Sequence, residues 1–481
     1  MPLVVVIAVS LRLPFIGRSP GPDEAGFLMV GGQWHAGGTS LYGNYWVDRP
    51  PLLVWIFQGI SGLGGVTALR LIGCVAVALI VIGTSVAAKL IAGPRAGRWA
   101  ALTAAAMSTS PLLGTHTVNG ELLAAPFIVL GIIATLYALR TPSTRNVRLF
   151  ALVAGAAAMA PVLIKQNLID VFVFGFVATL IAWHRRDIDG KRLARILGSA
   201  TSGALLFLGF MAVVTVLHGT SLRGVFDAMY PFRIQASKVQ AAGGSQHSLA
   251  RLSLLMVDVI SSGVLFLALA GAWGIASKRL RGSAGWALVA SVIFCLASIA
   301  MGGNYWSHYL VELIVPVSIA MGVLVGRRQP FTKPLVAGVA LLAVMTSIGT
   351  ISPATQSSGS IVGHAIAASA SPGDTIVTVY GHGDIDQQSG LSSPYENLWS
   401  LPTKTRDPQL TGLNTVLSGP QAPTWLVTWS YLTSWGLSTD QVRATVSRDY
   451  RIVGKIHGHT IYLHDGMIRP TLSATAKDTT P

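Results

Sequence analysis

The chain has 481 residues, of which 51% are hydrophobic and 11% charged, with a mean hydropathy of +0.58 and a formal net charge of +15. Soluble domains carry about 25% charged residues, so the composition excludes a soluble enzyme, a disordered chain and a disulfide-stapled scaffold. An excess of positive charge would suggest a nucleic-acid partner, but its placement removes that reading.

Apolar runs long enough to approach the ~30 Å of a hydrocarbon core recur eleven times. They lie near 3–17, 66–88, 99–113, 120–139, 149–164, 168–184, 196–217, 252–275, 284–301, 309–326 and 334–351. Five of the intervening loops are short and basic: Lys89 to Arg98, Arg140 to Arg148, Arg185 to Arg195, Lys278 to Arg281, and Arg327 to Lys333. Each nets +3, and together they account for the whole net charge. Basic residues favour the cytoplasmic side of a bilayer. The expected topology therefore has these loops and the N-terminus inside, the C-terminus outside, in the plasma (inner) membrane. The first span is short, which fits a chain start that clips its cytoplasmic end. Cys74 and Cys295 both fall within spans and read as small core residues.

The chain divides into a membrane domain over 1–351, with a long outer loop at 18–65, and an outer domain over 352–468. A tail from Arg469 to Pro481 reads as disordered. The outer domain is richer in Ser, Thr, Asp and Gly and carries strand-like stretches at Thr375–Gly381, Thr424–Ser430 and Tyr450–Asp465. The last reads as a hairpin turning at His457-Gly458. The fold class is thus an α-helical polytopic membrane protein with a small outward-facing α/β or α+β domain.

Polar residues collect at the outer boundary. Asp23-Glu24 opens the first outer loop, followed by an amphipathic stretch from Ala25 to His35 that suits the membrane interface, and then Asp48-Arg49-Pro50-Pro51. An acid at a bilayer boundary is costly unless paired or functional; the structural alternative for Asp23 is a helix cap. His116, Asn119 and Glu121 follow in the second outer loop, where the helix dipole alone would favour Glu121. Lys165-Gln166-Asn167 breaks an apolar run as a tight turn. The loop at 218–251 holds Arg223, Asp227, Arg233, Lys238, His247 and Arg251, with Gly243-Gly244 as a hinge, and Asn304 to Tyr309 precedes Glu312. Only Asp170 and Asp258 are placed for depth in the membrane. Asp384-Ile385-Asp386 reads as a solvated loop, and His457, His459 and His464 as a strand surface. Trp425, Trp429 and Trp435 read as core more readily than as sugar platforms.

The short first span, the outer loop opening with Asp-Glu, the Asp-Arg-Pro-Pro-Leu-Leu segment after 23 intervening residues and the late His308-Tyr309 resemble the GT-C glycosyltransferases. The likeness is to the bacterial family-39-like branch, which includes protein O-mannosyltransferases and the aminoarabinose transferase, and it covers residues 1 to 351 plus an outer domain. The resemblance implies transfer of a sugar from a polyprenyl-phosphate carrier at the outer membrane face. The acceptor would be a glycan, lipid or protein, with no nucleic acid involved. Asp23 falls on the family's catalytic acid and Glu121 near its second acidic position, and Glu24 and Glu121 are the further candidates for the catalytic role. Asp48 and Arg49 fall on a Glu-Lys pair that meets metal and lipid phosphate in the aminoarabinose transferase. Arg suits phosphate oxygens; a divalent metal at Asp48 and Glu121 is one option, helix capping and an Asp48–Arg49 contact the other.

The chemistry is coherent with the residues. A donor outside the cytoplasm must be lipid-linked, an attacking hydroxyl needs a carboxylate base, and a departing lipid phosphate needs cations. Arg49, Lys165, Arg251 and His308, with Tyr309 beside it, are the candidates to hold that phosphate. A transporter or flippase of lipid-linked intermediates is the alternative. It predicts mid-membrane polar residues and related halves, and the sequence displays neither.

Overall fold

The computed structural model describes residues 1–242, 246–351, 356–429 and 439–472, and the chain forms two compact units. The first comprises Met1–Ile16, Leu69–Val213 and Ser245–Pro353; the second comprises Gly17–Ala68, Val214–Gly244 and Ala354–Pro481. The first outer loop thus shares a compact unit with the C-terminal residues, a grouping that hydropathy alone does not reveal.

The first unit is helical. Among the described residues six helices are long and apolar enough to cross a membrane, or seven if Ser248–Ser261 and Val264–Ala276, bent by 69°, form one span. Apolar helices at Pro2–Phe15 and Asp170–His184 are shorter. Two predicted spans fall in one continuous stretch, Val66–Thr109, broken at Ala92 and Gly93 just before Pro94. Gly93 takes φ 85°, which a side chain disfavours, and Pro94 removes a helix hydrogen bond. Helices Thr144–Val162 and Gly190–Leu217 approach closely enough that a Cβ at Gly155 would meet the Ala200 carbonyl, and one at Gly203 the Leu152 carbonyl. Small residues at such crossings replace the hydrophobic drive that lipid cannot supply. Leu205, Leu206, Phe210, Val213 and Leu217 on that second helix stay exposed, the apolar surface a bilayer would cover. Both cysteines are buried and free.

The second unit carries a four-stranded sheet of β1 (Ile376–Val379), β2 (Trp425–Thr428), β3 (Tyr450–Ile456) and β4 (His459–His464), in the order β1-β2-β4-β3. β1 and β2 run parallel, while β2–β4 and β4–β3 are antiparallel. Alternate residues feed two cores. Val377, Val379 and Leu426 pack with Leu413, Leu417 and Val442 on one face, and Ile376, Trp425, Val427 and Ile461 pack with Val362, Ile366 and Ile385 on the other. Period-two alternation with both faces buried is the α/β arrangement the strand pattern implies. The hairpin turns at His457 and Gly458, both at positive φ, as a two-residue connection requires.

Four expectations change here. The 218–251 segment is mostly helical, as Leu222–Met229, Pro231–Ala242 and the start of Gln246–Ser261; Gly243-Gly244 lies outside the described residues. The stretch Ala25–His35 is no surface helix, since Glu24 to Gly31 are all buried. The tail boundary moves beyond Arg469, whose guanidinium pairs with Asp374, and Leu472 packs on the core; 473–481 lie outside the described residues. Asp384 and Asp386 are buried in helix Gly383–Ser389 rather than solvated. Asp384 lies against Gly359 in the first turn of helix Ser358–Ser369, where the dipole favours an anion.

Burial pushes the Asp386 carboxyl up to about 7, opposed by the Thr378 hydroxyl that donates to it at 2.5 Å and reinforced by the neighbouring Asp384 charge. A folded pKa above the unfolded value means that this group's stabilisation is complete below the unfolded pKa of about 3.9 and is lost as pH rises through about 7. Asp386→Asn should therefore flatten the fall in melting temperature between about pH 4 and pH 7. Thermal unfolding of purified protein across that window checks it, and an unchanged slope refutes it.

Candidate functional site

The polar residues singled out in the sequence gather in two clusters, one in each unit. In the second unit, helix Pro22–Gly32 begins with a capping box: Gly21 is the cap, and the Glu24 carboxylate accepts the Gly21 N–H at 2.9 Å. Capping belongs to buried Glu24, which answers the structural alternative for Asp23. Asp23, one residue earlier, is exposed and serves no cap. Its Oδ1 accepts the indole N–H of Trp399 at 2.8 Å. The Trp399 ring leans on Phe27, centroids 5.2 Å apart, and covers Gly26 so closely that any Cβ there would collide with it.

Asp48 is buried, and each of its oxygens is taken by a guanidinium. Arg49 Nη1 reaches Oδ1 at 2.9 Å and Arg233 Nη2 reaches Oδ2 at 2.8 Å. Arg49 also sits 5.8 Å over the Phe27 ring, and its carbonyl accepts the Tyr42 hydroxyl at 2.7 Å. Pro50 and Pro51 end this extended stretch and start helix Pro51–Gly62. Two cations on one acid leave a local charge of +1, and both guanidinium planes are anchored. Arrays of this kind bind phosphate oxygens well.

The other cluster lies within the first unit. Helix Gly120–Arg140 is capped by Asn119, which accepts the Leu122 N–H at 2.9 Å, so Glu121 is again released from capping. Buried Glu121 pairs with Lys165 Nζ at 2.5 Å, and His308 Nε2 stands 3.9 Å away. Buried Glu312 lies 3.7 Å from the same ammonium and accepts from Asn167 Nδ2 at 3.1 Å. Lys165 sits in the turn between two apolar helices. Burial alone would lower its pKa; Glu121 and Glu312 outweigh that and raise it. The ammonium also lies 4.3 Å over the Tyr309 ring, and Arg251 lies 4.8 Å over Trp306. Asp170 is buried beside Cys295, whose thiol donates to it at 3.1 Å, and Asp258 accepts from the Ser307 hydroxyl at 2.5 Å.

These contacts argue against a metal at Asp48 and Glu121. Each carboxylate is already engaged by cationic side chains, and a dication would have to displace them. Among the described residues no three His, Cys, Asp or Glu side chains gather as a metal-binding group. Trp429 stacks between His382 and His459, centroids 3.5 and 3.7 Å away, so neither ring face is open to a sugar. Trp425 is core, and Trp435 lies outside the described residues. Arg233, Glu312 and Trp399 were not selected from the sequence. Arg233 and Glu312 are visible there as charges near the outer boundary, whereas Trp399 carries no signal that would tie it to Asp23, 376 positions away.

The fold is similar to that of ArnT from Cupriavidus metallidurans bound to undecaprenyl phosphate, with a TM-score of 0.62 and 15% identity, over 96% of this chain and 97% of that one. It is also similar to the Archaeoglobus fulgidus oligosaccharyltransferase tethered with an acceptor peptide, with a TM-score of 0.52 and 13% identity, over 88% of this chain and 68% of that one. A structure of AglB from the same organism, in complex with an inhibitory peptide and a dolichol-phosphate, matches with a TM-score of 0.50 and 13% identity, over 88% of this chain and 69% of that one. At 13–15% identity these likenesses are ones of fold, and they agree with the helical, polytopic fold class with a small outer domain read from the sequence. No protein-family model and no curated relative matches the sequence.

Proposed function

We propose that the chain is a membrane glycosyltransferase that moves a sugar from a polyprenyl-phosphate donor to an acceptor hydroxyl at the outer membrane face, with Asp23 as general base. The observation that carries this reading is the division of labour at helix Pro22–Gly32. Glu24 caps, while exposed Asp23 has Oδ1 held by the Trp399 indole and, among the described residues, no hydrogen-bond donor to Oδ2. The GT-C fold adds a likeness to ArnT, whose structure holds undecaprenyl phosphate.

In the reaction the acceptor oxygen attacks the anomeric carbon and passes its proton to Asp23 Oδ2. The bond from that carbon to the phosphate oxygen breaks, and the polyprenyl phosphate departs with the electron pair. Arg49 and Arg233, fixed by Asp48, stabilise the charge that grows on the leaving phosphate. Lys165, Arg251, His308 and Tyr309 are the corresponding candidates in the first unit. No step runs through a metal. Membranes containing the wild-type chain should transfer radiolabel from polyprenyl-phosphate pentoses or hexoses, and Asp23→Asn membranes should do so about 10²-fold more slowly or worse.

Arg49 offers a second, quantitative test. A planar guanidinium binds two phosphate oxygens, whereas an ammonium acts as a point charge. Hydrogen bonds to charged groups contribute about 1.5–3 kcal/mol, so Arg49→Lys should raise the donor KM about tenfold, and Arg49→Gln should raise it further and lower kcat as well. If Arg49 merely reaches toward lipid headgroups, both variants keep near-normal kinetics.

A further inference from the structure

The indole of Trp399 is the one described side chain that fixes a named oxygen of Asp23, and it is held in place independently of Asp23. The segment around it is fastened to the first outer loop at several points. The Tyr45 hydroxyl accepts the Ser393 N–H at 3.0 Å, the Trp46 N–H donates to the Glu396 carbonyl at 3.0 Å, and the Ser40 hydroxyl donates to the Glu396 carboxylate at 2.5 Å. Arg406 pairs with Glu396 at 2.6 Å and lies 4.4 Å over the Trp46 ring. Trp399 itself precedes helix Ser400–Arg406, and its carbonyl accepts the Thr403 N–H. Gly26 completes the arrangement, because only a residue without Cβ lets the indole lie across helix Pro22–Gly32.

From this geometry we infer that Trp399 is a positioning residue for Asp23, supplied by the C-terminal part of the chain. The inference rests on the assignment of Asp23 as the base. The indole N–H holds Oδ1, which fixes the carboxylate rotamer and aims Oδ2, with its lone pair, toward the acceptor. A freely rotating Asp on an exposed first turn would spend most of its time misaligned, and alignment is a large part of what a general base contributes. The C-terminal domain is therefore a working part of the catalytic apparatus, and the Trp399 indole makes its described hydrogen bond to Asp23 itself.

Two variants remove that bond by different routes. Trp399→Phe keeps an aromatic ring over Phe27 but has no N–H, while Gly26→Ala pushes the indole away and leaves Trp399 and Asp23 chemically intact. Turnover is measured with radiolabelled polyprenyl-phosphate sugars and normalised to the amount of protein that binds radiolabelled undecaprenyl phosphate, so that loss of folded enzyme is not counted. Losing one charge-assisted hydrogen bond should lower normalised kcat roughly tenfold in either variant, with the donor KM unchanged. In an Asp23→Asn background, assayed over long incubations, Trp399→Phe should cost nothing further. A normalised kcat within twofold of wild type in Trp399→Phe overturns the inference, and so does an undiminished loss in the Asp23→Asn background. Full activity of Asp23→Asn alone is a different result, since it removes the general-base assignment itself.

Discussion

Asp23→Asn should lower sugar transfer by about 10²-fold or more while leaving insertion and donor binding intact. The amide matches the carboxylate in size and still accepts the Trp399 N–H through its oxygen, so helix Pro22–Gly32 keeps its geometry. What it loses is the capacity to take a proton, and a positioned general base contributes typically 10²–10⁴-fold. Glu24→Gln makes the contrast. Its carboxylate is buried and committed to the Gly21 N–H, so the expected cost is one of stability, about 0.5–2 kcal/mol for a weakened cap, with little change in turnover per folded molecule. If Asp23→Asn turns over at the wild-type rate, the base is another group, and Glu121 becomes the next carboxylate to substitute. Measuring both variants in the same membranes separates a catalytic acid from a capping acid on adjacent residues.

That adjacency explains how much of the site the sequence discloses. Asp-Glu at the start of an apolar stretch announces a helix N-terminus, but it does not say which acid closes the box. Spacing from Gly21 decides it: Glu24 stands at the third helical position and Asp23 at the second. Asn119 and Glu121 repeat the pattern one loop later. The hydropathy pattern and the β-alternation, with its His457-Gly458 turn, are legible because they are periodic and local. The partners are not, because Arg233 and Trp399 reach Asp48 and Asp23 across 185 and 376 positions of chain. Asp384-Ile385-Asp386 misleads for the same reason. An Asp-Ile-Asp segment between Gly383 and Gln387 looks solvated until the Ser358–Ser369 helix and Thr378 supply its partners.

Lys165→Met should be the most destabilising single change at either cluster. The methionine fills the volume of the lysine stem, so packing is kept and only the charge is lost. Glu121 and Glu312, at 3% and 2% side-chain exposure, would then face each other without the ammonium that now stands 2.5 and 3.7 Å from them. Removing one partner of a buried ion pair costs about 3–5 kcal/mol, because the charge left behind is neither solvated nor compensated. Among the described side chains Glu312 keeps the Asn167 amide at 3.1 Å, whereas Glu121 keeps the more distant His308 at 3.9 Å. Glu121 is therefore the more strained survivor. The double variant Lys165→Met/Glu121→Gln should recover much of the lost melting temperature, although it carries one substitution more. Thermal unfolding in detergent of the wild type, both single variants and the double variant reads the coupling directly. If the double variant melts no higher than Lys165→Met, the loss arises from packing around the stem and not from the uncompensated carboxylate.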